Sequence, residues 1–83
     1  MILRVTNVQY LQNYRLKLAF NDGAVGIADL STALWGEMFE PLKDLALFSQ
    51  VRLDDDLGTA AWTNGADLAP EFLRQIIRDE IQP

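Results

Sequence analysis

The feature that most constrains this chain is the run Tyr14-Arg15-Leu16-Lys17-Leu18-Ala19-Phe20, followed at once by Asn21-Asp22-Gly23. Alternation of this kind is the period of a half-buried strand. It puts Tyr14, Leu16, Leu18 and Phe20 on one face and Arg15 and Lys17 on the other. Asp-Gly accepts the positive φ of a tight turn, so the chain reverses here and pairs back on itself. Residues 24–30 are the predicted return strand, with Val25, Ile27 and Asp29 on one face and the small Ala24, Gly26 and Ala28 on the other. Upstream, residues 3–10 read as a strand whose apolar parity shifts from Leu3 and Val5 to Val8 and Tyr10. That shift predicts a bulge or bend near Asn7. Together these segments make a three-stranded antiparallel meander.

The middle changes character. Ser31 or Thr32 is placed to cap a short helical turn through Ala33-Leu34-Trp35, which Gly36 ends. Residues 39–42 form a turn or single-turn helix, and Asp44 is the expected N-cap of a helix of about two turns over residues 45–50. Val51-Arg52-Leu53 and Thr59-Ala60-Ala61-Trp62-Thr63 flank an acidic turn and make a second hairpin. Asn64-Gly65 is another tight turn. Pro70 suits the first position of a final helix over residues 70–80, because its missing N–H costs nothing there. Phe72, Leu73, Ile76, Ile77 and Ile81 form its apolar stripe. Antiparallel strands with helices set between and after them define an α+β fold, and residues 1–83 form a single domain.

What is missing narrows the chemistry. The chain has no His and no Cys. His is the usual general base near neutral pH, and the two together supply most zinc, haem and iron–sulfur sites. No phosphate-binding glycine pattern and no nucleophile elbow occurs. We therefore expect no enzyme and no cofactor. A domain this small without disulfides points to the cytoplasm. No apolar stretch is long enough to span a membrane, and the start lacks the pattern of a signal peptide. The net charge of −5 disfavours direct nucleic-acid binding. That charge is split: residues 1–20 carry three bases and no acid, and the remainder carries twelve acids and four bases.

Three groups of residues invite a functional reading. Arg4, Arg15, Lys17 and Arg52 each sit between core-pointing neighbours, so they would form a basic patch if they converge on one sheet face. Salt bridging to acids such as Asp29 or Glu37 is the plainer account. In the string Trp62-Thr63-Asn64-Gly65-Ala66-Asp67-Leu68, Trp62 could serve as a stacking platform with Asn64 and Asp67 as polar recognition groups. The plainer account has Trp62 packing, Asn64-Gly65 turning, and Asp67 satisfying backbone N–H groups ahead of Pro70. Asp54-Asp55-Asp56 could hold Ca²⁺ or Mg²⁺, but a calcium loop starting at Asp54 wants Gly and Glu where Thr59 and Gly65 stand. A solvated turn fits better.

The order of the short strings F-N-D-G (20–23), A-D-L-S (28–31), M-F-E-P-L-K-D (38–44), F-S-Q-V-R-L-D (48–54) and G-T-A-A-W-T-N-G-A-D-L-A-P-E-F-L (58–73) resembles one bacterial family of unknown function. That family is called NE0471 N-terminal domain-like, and the resemblance covers nearly the whole chain. It implies a compact α+β protein, free-standing or followed by a helix-turn-helix DNA-binding domain. It also implies a gene beside that of another small protein, an arrangement that looks like a toxin–antitoxin pair. No catalytic residues come with it.

The expectation is a protein–protein interaction module, the antitoxin-like or regulatory partner of an adjacent small protein. The alternative is a small-ligand or divalent-cation-binding domain without catalysis, using residues 54–56 or the surroundings of Trp62. Self-association through a strand edge or the second sheet face is a further route to a partner.

Overall fold

The computed structural model describes residues 2–78. Strands β1 (Val5–Tyr10), β2 (Arg15–Phe20) and β3 (Val25–Asp29) form one antiparallel sheet in chain order. The pairing of β1 with β2 shifts register between Val5 and Asn7, where the parity of the sequence also changes. Leu16, Leu18 and Phe20 point into the core, Leu16 and Leu18 with no exposed surface. Burying each such side chain stabilises the fold by about 1.5–3 kcal/mol. The register puts Ala28 and Gly26 opposite Leu16 and Leu18, so the small residues of β3 face inward. Val25, Ile27 and Asp29 share the outer face with Arg15 and Lys17.

A single helical turn, α1 (Leu45–Phe48), follows a 3-10 turn over Glu40–Lys43 that buries Leu42. The Asp44 side chain accepts the Ala46 N–H at 3.0 Å, the expected cap, but the helix is shorter than two turns. Residues 31–35 are not helical. The Asp29 carboxylate accepts the Ser31 N–H at 3.0 Å, and Trp35 N–H reaches the Ala33 carbonyl at 3.1 Å, so tight turns replace the predicted helix.

Strands β4 (Arg52–Asp54) and β5 (Thr59–Ala61) form a separate two-stranded sheet. An aromatic cluster joins the two sheets. Phe48 meets Tyr14 edge-on at 5.3 Å and Tyr10 at 6.0 Å, and lies 5.5 Å from Trp62. Edge-to-face pairs of this kind add about 0.5–1.5 kcal/mol each beyond area burial. The Tyr14 hydroxyl donates to the Lys43 carbonyl, and the Trp62 indole N–H donates to the Phe48 carbonyl at 2.9 Å. Buried Thr59 donates to the Leu68 carbonyl, so the described interior leaves no side-chain polar atom without a partner.

Helix α2 (Pro70–Ile76) begins at the predicted proline and buries Leu73. It ends earlier than its apolar stripe suggests. Ile77 turns extended, and Arg78 forms a bridge with Ile27 on the outer edge of β3, with N–H to carbonyl distances of 2.7 and 2.9 Å. The stripe position at Ile81 lies outside the described residues. No helix among those described is long and apolar enough to cross a membrane.

Candidate functional site

The residues singled out from sequence are dispersed. Arg15 and Lys17 lie together on the outer face of the meander, and Arg15 meets Asp29 across β2 and β3 at 3.6 Å. Arg4 turns to the second hairpin, where its guanidinium donates to the Asp55 carbonyl and lies against Gly58. Arg52 belongs to the other sheet and sits 3.8 Å from Asp54 in its own strand. The acidic turn is similarly self-contained: the Asp54 carboxylate accepts the N–H groups of Asp56 and Leu57 at 2.9 and 3.0 Å. No group of three or more metal-ligating side chains occurs among the described residues.

Trp62 is 1% exposed and belongs to the core, which removes it as a stacking platform. Asn64 has two tasks in its turn. Its side-chain oxygen accepts the Ala66 N–H at 3.1 Å, and its amide donates to the Met38 carbonyl at 3.2 Å. Asp67 is exposed and forms a backbone bridge with Ala61. It does not cap α2: Ala69 holds the N-cap position and no side chain caps that end.

The Asn64–Met38 bond braces the loop that follows residues 31–35. Leu34 is 2% exposed and anchors that segment in the core, yet the adjacent Trp35 is 74% exposed. The contrast has a local cause. Leu30 and Leu34 are both drawn inward, the Trp35 N–H closes a tight turn onto Ala33, and Gly36 at φ +90° reverses the chain. The Trp35 side chain is left pointing outward. On the facing side, Leu73 anchors α2 and Phe72, one position away on the helix, overhangs its edge at 38% exposure.

Between these two walls runs an apolar groove of about 410 Å³, lined by Ala33, Trp35 and Phe39 from the loop and by Phe72 and Ile76 from α2, with Leu68 as its floor. Asp29 and Thr32 bring polar groups to its rim. Asp29 is held ionised there, its pKa lowered by the Ser31 backbone N–H first, then by the Ser31 side chain and Arg15. Scattered exposed apolar residues are normal on a small protein, but a contiguous groove around an exposed Trp is the kind of surface that marks a contact site. The arrangement can bind an apolar group.

Sequence pattern alone hides this groove, because it places Trp35 in a helical turn and Phe72 in the apolar stripe of the last helix. The available signal was Trp35 beside Gly36, an aromatic at a turn where a packed side chain has no helix to carry it.

Comparisons with curated proteins and with solved structures returned no match. The family model of the proteins of unknown function DUF2442 matches residues 5–79, and the chain belongs to that family.

Proposed function

We propose that this chain is a non-catalytic protein–protein interaction module and that the groove between residues 29–39 and α2 is its contact surface. The observation that carries the reading is Trp35, 74% exposed on a loop whose neighbouring residue is core. Tryptophan is the residue most enriched at binding hot spots, and Phe72 and Phe39 beside it supply a preformed apolar receptor. Covering Trp35, which is mostly in solvent, would yield about 1.5–3 kcal/mol, and covering the remaining exposed third of Phe72 about 0.5–1 kcal/mol. The resemblance to the NE0471 N-terminal domain-like family supports a partner encoded by an adjacent gene and an antitoxin-like or regulatory role. The acidic turn lends the cation-binding alternative less support, because the Asp54 carboxylate already closes that turn.

The test is co-expression with the adjacent open reading frame and affinity capture, run in parallel with the parent chain and Trp35→Ala. The parent should retain the partner and the variant should lose it at unchanged melting temperature. Equal capture by both would remove the groove from the reading, and no capture by either would remove the module itself.

A further inference from the structure

The groove has a charge as well as a shape. Its loop wall, residues 29–40, carries Asp29, Glu37 and Glu40 and no Lys or Arg. Its helix side, residues 67–76, carries Asp67, Glu71 and Arg74, and Arg74 is bonded to Asp22 at 3.0 Å. Glu37, Asp67 and Glu71 are all exposed. Glu40 pairs with Lys43 at 3.4 Å, which lies beyond the groove in the 3-10 turn. Asp67 and Glu71 adjoin the lining residues Leu68 and Phe72 in the chain, and Glu37 stands two residues from Trp35. Exposed carboxylates therefore flank the apolar slot, and that combination selects among occupants.

A second copy of this chain fits poorly. A two-fold contact through the groove would set Glu37, Asp67 and Glu71 against their own counterparts, and like charges facing across an interface are repulsive. A head-to-tail contact would need the basic side chains of the next copy, and each described one is engaged within its own chain. Lys43 pairs with Glu40, and Lys17 is not free either. Arg4 donates to the Asp55 carbonyl, Arg15, Arg52 and Arg74 meet Asp29, Asp54 and Asp22, and Arg78 donates to the Ile76 and Ile77 carbonyls. An anionic membrane or nucleic acid would be repelled by the same carboxylates.

We infer that the groove receives a cationic amphipathic segment of a different protein, which inserts apolar side chains between Trp35 and Phe72 and sets Lys or Arg against Glu37 and Glu71. The inference rests on the proposed function and adds the chemistry of the partner. Apolar contact supplies the affinity, and the flanking carboxylates supply the choice of partner and the rate of encounter.

The experiment uses three synthetic peptides of about fourteen residues with one shared Leu/Ile face and a polar face of Lys, Gln or Glu. Each is labelled and titrated against the whole protein by fluorescence anisotropy. Intrinsic emission is followed alongside, since Trp62 is already buried and only Trp35 can shift to the blue. The Lys peptide should bind about five- to tenfold tighter than the Gln peptide, the gain of two or three exposed ion pairs, and the gap should close as salt rises. Glu37→Gln combined with Glu71→Gln should abolish the gap and keep the binding of the Gln peptide. Phe72→Gln leaves the charge unchanged and should lose all three peptides. If Phe72→Gln binds the Lys peptide as the parent does, the attraction is to net charge alone and the inference falls. Equal or tighter binding of the Gln or Glu peptide overturns the cationic partner and leaves the groove as the contact surface. A flat titration with every peptide overturns the inference, and capture of the adjacent gene product then judges the proposed function on its own.

Discussion

Gly26 is the position at which one added methyl group tests the packing most sharply. A Cβ there would lie 2.6 Å from the Arg78 carbonyl oxygen and 3.0 Å from the Ile77 Cβ. Carbon–oxygen contacts close to about 3.3 Å at their tightest, so in Gly26→Ala the segment after α2 must retreat by about 0.7 Å. Residues 77–78 are the softer partner, because β3 is held by the register with β2. Their retreat stretches the paired bonds between Ile27 and Arg78, now 2.7 and 2.9 Å. Two backbone hydrogen bonds are worth about 1–3 kcal/mol together. Alanine recovers about 0.5–1 kcal/mol, because it loses less backbone entropy in a strand than glycine. At the midpoints of these ranges the net expectation is a loss of about 1 kcal/mol, or a fall in melting temperature of about 4–8 °C for a domain of this size. Urea denaturation gives the total, and amide hydrogen exchange at Ile27 and Arg78 locates it. Those two amides should lose protection ahead of the β1–β2 ladder. A variant as stable as the parent, with the Ile27 amide still protected, would refute the reasoning.

The two tryptophans should behave as opposites. Trp62→Phe removes the donor to the buried Phe48 carbonyl and leaves a void, and it should cost about 1–3 kcal/mol in urea denaturation. Trp35→Ala should stay within about 0.5 kcal/mol of the parent, since its side chain is mostly in solvent. Asp54→Ala takes away the acceptor for the Asp56 and Leu57 N–H groups and should cost about 1 kcal/mol, read as a lower melting temperature. Acid should also weaken the fold through Asp22 and Asp29. Both pKa values are lowered from 3.8, Asp22 chiefly by the Ala24 N–H and then by Arg74, and Asp29 chiefly by the Ser31 N–H. Lowered folded-state values mean that the stabilisation is complete above about pH 4 and is lost as pH falls through them. Asp22→Asn with Asp29→Asn should flatten the acid limb of stability against pH, and an unchanged limb would refute that assignment.

Much of the backbone was legible from local chemistry. The alternation at 14–20, the Asp-Gly turn, the parity shift near Asn7, the cap at Asp44, the Asn64-Gly65 turn and Pro70 at the head of α2 all act over a few residues. Each biases φ and ψ or side-chain facing without needing the rest of the molecule. Where two local signals competed, the sequence was a poor guide. At 31–35 a helix cap at Ser31 or Thr32 competed with an Asp29 side chain able to take the Ser31 N–H first, and Asp29 won.

Which apolar residues are buried was decided by the tertiary structure. Trp62 and Trp35 are the same residue type near turn glycines, yet one is sealed by Phe48 and the other stands in solvent because Leu34 holds the buried place beside it. Arg4, Arg15, Lys17 and Arg52 share a sequence pattern, yet two sheets and separate acceptors set them apart. α2 stops at Ile76 although its apolar stripe continues, because the outer edge of β3 offers the next residues backbone hydrogen bonds. Periodicity reports only that a side chain prefers one face of its own element. What that face meets depends on contacts between residues far apart in the chain, and the groove, built from a loop and a helix more than thirty residues apart, exists only at that level.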